Sequence, residues 1–306
     1  MESYQNLLVV IDPTTEDQKA LQRACTLAKQ TQAKVTAFLC IYDFSYEMTT
    51  MLSGEERESM RATVIKGREQ WLDDILIDFD YKIDYKVIWH NRPFEAILNE
   101  VDEHKYDLVL KSTHEHPTLQ SVIFTPTDWH LIRKCWVPLL LVKEHSWPEN
   151  GHILAAIHAS SDEEDHMSLN NKITEEAINL SKLIKADTHF VNSYPGTPIN
   201  IAIEIPEFDA AEYNKNMQAH HIKMMQQHAA KFGIDKKYLH VKEGLPEDVI
   251  EQVANELDAE LVILGTIGRT GLSAMLIGNT AEHVIDRINC DLLALKPDGY
   301  ISPFLQ

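Results

Sequence analysis

Short apolar runs alternate with segments of helical periodicity along the whole chain. The first run, Leu7–Ile11, is rich in Leu and β-branched residues and ends at Asp12-Pro13, which is typical of a buried strand. Apolar residues then recur at helical spacing, at Leu21, Ala24, Cys25 and Ala28. Further on, Thr125 and Pro126 predict a helix start, with Thr as the cap and Pro at the first helical position. The other apolar runs predict four more strands, at Val35–Ile41, Tyr85–Trp89, Leu108–Leu110 and Leu139–Val142.

The same succession of elements recurs in the second half of the chain. Its predicted strands are Ile153–Ile157, Thr188–Val191, Leu239–Val241, Leu261–Leu264 and Leu292–Leu295. A shift of 153 positions aligns residues 91–143 with 244–296 without a gap, and thirteen of the 53 pairs are identical. A gap-free repeat of this length favours duplication. We therefore predict two α/β domains, at residues 1–147 and 152–306. Each would be a Rossmann-like (flavodoxin-like) five-strand parallel sheet of order 3-2-1-4-5 with helices on both faces.

Composition narrows the class of protein. The 306 residues include 28 Lys and Arg against 47 Asp and Glu, for a net charge of −19. Such a charge repels phosphate backbones and anionic lipid, so we expect no nucleic-acid or membrane partner. The sequence has no apolar run near the ~20 residues of a membrane span and no signal-peptide pattern at its start. Its four cysteines occur singly, which favours small core residues in a reduced compartment. The sequence thus predicts a cytoplasmic protein.

The candidate chemistry follows the predicted fourth strand of the second half. In doubly wound sheets, ligands bind beyond the carboxyl ends of the strands, where the winding direction reverses, here between strands one and four. Gly265, Gly268 and Gly278 would let backbone N–H groups approach a phosphate at a helix N-terminus, and Arg269 could add a charged contact. A purely structural explanation also fits, with Gly265 allowing a tight turn and Asn279 beginning a capping box. Spacing alone leaves both interpretations open.

The spacing of these glycines resembles the nucleotide motif of the universal stress protein family. The resemblance covers essentially the whole chain as two family domains, and residues 43–50, 90–97, 123–130 and 278–282 resemble one tandem member in particular. It implies the five-strand fold described above and a role in stress survival. Members of the family that carry the motif bind ATP, whereas members that lack it do not and have no defined biochemical activity.

The resemblance implies a set of ligand-binding residues in the second half. They are His158, Gly265, Thr266, Gly268, Arg269, Gly278, Asn279 and Thr280, with His158 standing where the family's nucleotide binders have Asp. Neither half has all the residues of the family's nucleotide site.

The first half departs from the motif in a different way. It keeps the Asp of strand one, as Asp12, but has Ser112, Glu115 and Thr125 in place of the three glycines. We expect Glu115 and Asp128 to give this cleft two negative charges and Pro126 to remove a helix N–H, all of which oppose an anion. The first pocket is therefore predicted to be degenerate.

Three functions stay open at this point. The leading hypothesis is a non-catalytic, ligand-responsive stress protein whose second half binds ATP, another nucleotide or a small anion, with Mg²⁺. The second is a slow metal-dependent ATP hydrolase that uses residues 265–278. The third is a binder of an apolar or amphipathic ligand under residues 198–206, where four isoleucines alternate with mostly polar residues, although that pattern also fits a segment pinned to the core.

Two further expectations concern metals and partners. The chain has fifteen histidines, and two or three near the second cleft could hold Zn²⁺, although their spacing matches no strong metal motif. The fifth strands, Leu139–Lys143 and Leu292–Lys296, come last in each sheet and would be open edges. We expect them to pair within the chain as a pseudo-dimer, as single-domain family members do between chains, and a homodimer of the whole chain stays open.

Overall fold

The computed structural model describes residues 4–45, 52–115, 122–123, 125–143, 146–161, 163–197, 209–266, 283–285 and 287–305. The chain divides into two units, one of residues 1–114 and 124–143 and the other of residues 115–123 and 144–306. None of the described helices is both long enough and apolar enough to cross a membrane.

The first unit is a parallel five-strand sheet with helices between its strands. The strands are β1 (Asn6–Val10), β2 (Lys34–Ile41), β3 (Ile83–Trp89), β4 (Leu108–Ser112) and β5 (Leu139–Val142). The helices are α1 (Lys19–Thr31), α2 (Gly54–Leu76), α3 (Pro93–His104) and α4 (Pro126–Lys134). The order across the sheet is β3-β2-β1-β4-β5, and every pairing is parallel. A separate pair of two-residue strands joins residues 114–115 to 122–123.

The second unit repeats this order. Its strands are β6 (His152–Ala156), β7 (Asp187–Tyr194), β8 (Leu239–Glu243), β9 (Leu261–Gly265) and β10 (Asp291–Leu295). Its described helices are α5 (Glu164–Ile184), α6 (Ala210–Phe232) and α7 (Pro246–Leu257), with a 3₁₀ turn at Lys236–Tyr238. The order is β8-β7-β6-β9-β10, again wholly parallel. Two domains of this α/β class are what the sequence predicts.

Apolar strands and one-sided helices explain why the chain folds in this way. All four residues of β5 and all five of β10 are buried, as expected for strands covered on both faces. On α1 the buried residues recur at helical spacing and include Leu21, Ala24 and Ala28, so that helix buries a single face against the sheet. The predicted start of α4 is confirmed, since Thr125 caps it and Pro126 is its first residue.

Matching polar contacts in the two units support duplication of the fold. Asp107, just before β4, accepts hydrogen bonds from the backbone N–H groups of Gln5 and Asn6 at the start of β1. Glu260, at the aligned position in the second unit, accepts from the backbone N–H of His152 at the start of β6. A carboxylate therefore holds the beginning of the first strand in both sheets.

The helix α2 is a feature that the apolar pattern did not predict. Within its 23 residues, Leu72 is the one fully buried side chain. The helix instead begins at a capping box, in which Ser53 and Glu56 exchange hydrogen bonds with each other's backbone N–H groups. Its inner face carries arginines, and Arg61 lies over the ring of Trp89 at 5.8 Å from the centroid.

Candidate functional site

The loop after β6 lies at the switch point of the second sheet, because β6 pairs with both β7 and β9. Asn170 of α5 holds this loop through its side-chain amide. His158 N donates to Asn170 Oδ1 at 3.0 Å, and Asn170 Nδ2 donates to His158 O at 2.9 Å. The backbone of His158, a predicted site residue, is therefore fixed at the carboxyl end of the sheet.

A second amide continues this arrangement towards α6. Ala159 N donates to Asn192 Oδ1 at 3.1 Å, and Asn192 Nδ2 lies 3.0 Å from Nδ1 of His221. His221 is only 5% exposed, and its ring stacks on that of Tyr194 with centroids 5.4 Å apart. From the sequence, His221 is indicated only as one of the histidines that could hold Zn²⁺, and Asn192 is not indicated at all. A polar Asn at the buried end of an apolar strand was the signal that could have indicated it.

Histidines surround this end of the cleft. The rings of His158 and His166 meet edge to face, with centroids 5.7 Å apart, and His220 lies 5.6 Å from His221. Burial lowers the pKa of His221, and the nearby His220 and His158 lower it further. The imidazole of His221 is therefore neutral at physiological pH.

Gly265 has a packing role. It ends β9, and a Cβ at this position would lie 2.3 Å from Cδ2 of Leu169, a buried side chain of α5. A larger residue here would displace the side chain of Leu169, so the close approach of the helix favours glycine. Neither a positive φ nor a tight turn is involved, because Gly265 is a strand residue.

The polar groups of Thr266 also take part in hydrogen bonds within the fold. It is 1% exposed, and both its N–H and its hydroxyl donate to the carbonyl of Leu295, at 2.9 and 3.2 Å. Its own carbonyl accepts a 2.6 Å hydrogen bond from Nζ of the buried Lys296. Thr113 makes the same pair of bonds to Val142 in the first unit, so this is a feature of the duplicated fold.

The other five predicted residues lie outside the described residues. They are Gly268, Arg269, Gly278, Asn279 and Thr280. Their role in ligand binding stays a prediction, as does that of Gly265, Thr266 and His158.

In the first unit the loop after β1 is also held by an amide. Gln18 Oε1 accepts from the N–H of Asp12, and Gln18 Nε2 donates to the carbonyl of Asp12 at 2.7 Å. The carboxylate of Asp12 accepts from both the N–H and the hydroxyl of Thr14, at 2.9 and 2.6 Å. The two units thus share a clamped loop after the first strand, with Asp in one and His in the other.

The end of β4 differs sharply from the end of β9. Asp128, in the first turn of α4, is fully buried, and its Oδ1 lies 2.7 Å from Nζ of Lys111. Its Oδ2 accepts from the N–H and the hydroxyl of Thr125, at 2.7 and 2.8 Å. The expectation that Asp128 adds a net negative charge to the cleft was wrong, because Lys111 neutralises it. Instead, the carboxylate occupies the N-terminus of α4 itself. The side chain of Glu115 lies outside the described residues.

The described residues bring three possible metal ligands together at one place, Glu100, Glu103 and His104 of α3. Glu100 is already engaged there by Nζ of Lys86 at 2.5 Å and by the hydroxyl of Tyr106 at 3.2 Å. A lysine ammonium in this position disfavours a cation. Among the described histidines of the second cleft no such group forms, so the predicted Zn²⁺ site has no support from these residues.

A separate row of histidines crosses the second sheet towards its amino ends. His189 of β7 is 9% exposed, and its Nδ1 lies 3.0 Å from Nε2 of His240 on β8. On its other side the ring of His152 on β6 lies 5.1 Å away between centroids. Burial, followed by these two neighbours, lowers the pKa of His189 to about 4.

The two parallel sheets of this order, each with its first loop held by a side-chain amide at the switch point, define a doubly wound α/β protein. The model of the universal stress protein family matches residues 3–143 and again residues 153–296. The chain belongs to the universal stress protein family, with two family domains in tandem.

Relatives resemble the chain over its full length. It is 51% identical to universal stress protein E of Escherichia coli K12 over 307 residues, which cover 99% of this chain and 97% of that protein. It is 43% identical to the homologue of that protein in Haemophilus influenzae, over 96% of this chain and 98% of the relative. The tandem member that the sequence segments resemble is thus universal stress protein E, and that resemblance is confirmed.

Solved structures resemble the chain as well. A functionally unknown protein from Pseudomonas aeruginosa PAO1 matches with a TM-score of 0.74 and 28% identity, over 97% of this chain and 94% of that one. A universal stress protein from Archaeoglobus fulgidus matches with a TM-score of 0.61 over 95% of this chain and 98% of its own, at 16% identity, and supports the fold alone.

Proposed function

We propose that the chain is a non-catalytic, ligand-responsive protein that contributes to stress resistance in the cytoplasm. Its working pocket is in the second domain and takes a nucleotide such as ATP, with Mg²⁺, or another small anionic ligand. The first domain is a scaffold whose pocket has been closed. Membership in the universal stress protein family supports the stress-related role.

One observation carries the assignment of the pocket to the second domain. In the first domain the buried Asp128 places a carboxylate at the N-terminus of α4 and pairs it with Lys111. At the aligned positions the second domain has Leu264 and Ala281, and it has the three motif glycines instead. A bound phosphate needs free N–H groups at a helix start. In the first domain the N–H groups of Thr125 and Asp128 are already bonded within the capping box, and Pro126 has none. The proposed ligand contacts are His158, at the end of the first strand, and Gly265, Thr266, Gly268, Arg269, Gly278, Asn279 and Thr280.

Native mass spectrometry of the purified full chain tests what the pocket holds. A co-purifying nucleotide or phosphorylated metabolite is the expected result. A fatty or otherwise apolar ligand would instead support binding under residues 198–206 and contradict the anionic pocket.

A phosphate-release assay with a matched variant distinguishes the hydrolase alternative from the non-catalytic proposal. We expect no magnesium-dependent phosphate release from ATP above the level of a Gly268→Glu variant. Release that is faster in the unaltered protein and abolished by that substitution would make the protein an enzyme.

The pairing of the two fifth strands and a homodimer of the chain stay predictions. Amide exchange along Leu139–Lys143 and Leu292–Lys296 would test the pairing, and sedimentation would test the homodimer.

A further inference from the structure

His221 is a buried polar side chain near the second cleft that the nucleotide motif does not include. It lies on α6, is 5% exposed, and contacts the carboxyl end of β7 through Asn192 and Tyr194. The position of its single proton follows from the hydrogen bonds around it.

A backbone N–H can only donate a hydrogen bond, so the N–H of Ala159 fixes the orientation of Asn192. The oxygen Oδ1 faces Ala159, and the amide nitrogen Nδ2 faces His221. Nδ2 also donates to the carbonyl of Ser193 at 3.2 Å, which requires the same orientation. An amide N–H₂ can only donate, so Nδ1 of His221 must accept. The imidazole is therefore neutral, with its proton on Nε2.

This arrangement leaves Nε2–H of His221 as a donor that has no hydrogen-bond partner among the described residues. This nitrogen is not among the fully buried side-chain atoms that lack a partner, so it is open to solvent and can donate to an acceptor that a ligand supplies. Its neighbours at the cleft are the loop after β6, which carries His158, and the ring of Tyr194.

We propose that His221 is a ligand-recognition residue of the second cleft, which presents its Nε2–H to a carbonyl, phosphate oxygen or ring nitrogen of the ligand. Asn192 is the positioning residue that keeps the imidazole neutral. The proposal rests on the second-domain pocket proposed above and identifies a contact outside the glycine motif.

The same geometry couples the protonation of His221 to the loop after β6. A proton on Nδ1 would face the N–H₂ of Asn192, so the amide would have to turn. Turning takes Oδ1 away from the N–H of Ala159 and removes one of the hydrogen bonds that hold the loop that carries His158. The other groups that face this site are His220 on the same helix, Tyr194 on β7, and His166 on α5, which lies 3.4 Å from Glu163. Ligand affinity should therefore fall as the pH is lowered through the protonation of His221.

Imidazole-nitrogen NMR of the ligand-free full chain tests the positioning role without any ligand. At pH 7.5 we expect Nε2 of His221 to carry the proton and Nδ1 to carry none. Asn192→Asp supplies a carboxylate that accepts from both Ala159 N–H and a protonated Nδ1, so the pKa of His221 should rise in that variant. A proton on Nδ1 in the unaltered chain, or an unchanged titration in Asn192→Asp, would overturn this role.

Calorimetric titration with MgATP at pH 7.5 tests recognition. His221→Phe keeps an aromatic ring next to Tyr194 but removes the donor, and we expect it to weaken binding about tenfold. His221→Gln retains a donor and should recover most of the affinity, while the neighbouring control His220→Phe should change it less than about twofold. Equal binding by His221→Phe would overturn the ligand-recognition role of His221 but not the positioning role of Asn192. No binding by the unaltered chain would overturn the proposed nucleotide pocket together with this contact, whereas the NMR result would still decide the role of Asn192.

Discussion

The carboxyl ends of β4 and β9 occupy the same place in two copies of one fold, and they have opposite chemistry. At β4 the chain supplies both partners of a buried ion pair, Lys111 and Asp128, and Ser112 Oγ accepts from the backbone N–H of Ala20 on α1. At β9 the strand ends in Gly265, against which Leu169 of α5 packs directly. One end is filled by charged and hydroxyl groups of the protein itself, and the other by an apolar contact followed by a glycine motif.

The comparison indicates which parts of the duplicated fold are constrained and which are free to change. The shared parts are structural, such as the carboxylate before strand four and the threonine after it that bonds to strand five. The parts that differ are those that we propose decide whether a helix N-terminus is open to a ligand. The proposed closure of the first pocket would need only a charge pair within that domain and no change in the sheet.

The largest effect should come from splitting the buried ion pair. Lys111→Leu leaves Asp128 buried and uncompensated, and we expect a loss of about 3–5 kcal/mol in the free energy of unfolding of the first domain. The double variant Lys111→Leu/Asp128→Ala reproduces the residues of the second domain and should recover most of that loss. Urea unfolding followed by tryptophan emission measures both, since four of the five tryptophans lie in the first unit and Trp147 lies in the second. A double variant no more stable than the single one would contradict the pairing.

Acid should destabilise the second domain next most strongly. Burial lowers the pKa of both His189 and His228 to about 4, from an ordinary value of 6.5. Between these values the unfolded chain binds more protons, so stability falls as the pH drops from 6.5 towards 4, by at most about 3 kcal/mol for each imidazole.

Unfolding curves at pH 7 and pH 4.5 check this difference between the domains. Circular dichroism reports on both domains, whereas tryptophan emission reports mainly on the first. The free energy of unfolding obtained from circular dichroism should therefore fall more at pH 4.5 than the value obtained from tryptophan emission. The double variant His189→Gln/His228→Gln should flatten the dependence on pH. An equal acid response in that variant would show that other groups cause it.

A methyl group at the end of β9 should have a smaller effect. Gly265→Ala brings a Cβ against Leu169, and we expect a loss of about 1–3 kcal/mol from overpacking. In a Leu169→Ala background the same substitution should cost much less, which a double-mutant cycle from urea unfolding would measure. Additive losses would mean that the glycine is required for another reason. The counterpart Ser112→Gly should change stability only by the loss of one hydrogen bond.

The smallest effect is expected at the cap of α4. Thr125 accepts from Asp128 N, and its own N–H and hydroxyl bond to the carboxylate of Asp128. Thr125→Ala should lower the unfolding free energy of the first domain by about 1 kcal/mol and leave ligand binding unchanged. Altered affinity for MgATP in this variant would mean that the first cleft takes part in binding.

The sequence predicted those parts of the fold that depend on apolar periodicity and local capping. The ten strands, the buried face of α1 and the Thr125 cap follow from residues close together in the chain. The helix α2 did not, because arginines interrupt the apolar residues on its inner face. The pairing of Lys111 with Asp128, the contact of Gly265 with Leu169 and the Asn192–His221 bond each join residues that are distant in sequence. Their geometry exists only once the sheet has formed.

The central claim is that the chain has one nucleotide site and that it lies in the second domain. Calorimetric titration of the full chain with MgATP tests this most directly, in the unaltered protein and in Gly278→Asp and Asp12→Asn variants. We predict one site per chain, lost in Gly278→Asp without a change in melting temperature and retained in Asp12→Asn. Two sites per chain, or binding that survives Gly278→Asp but disappears in Asp12→Asn, would contradict the account and place the pocket in the first domain.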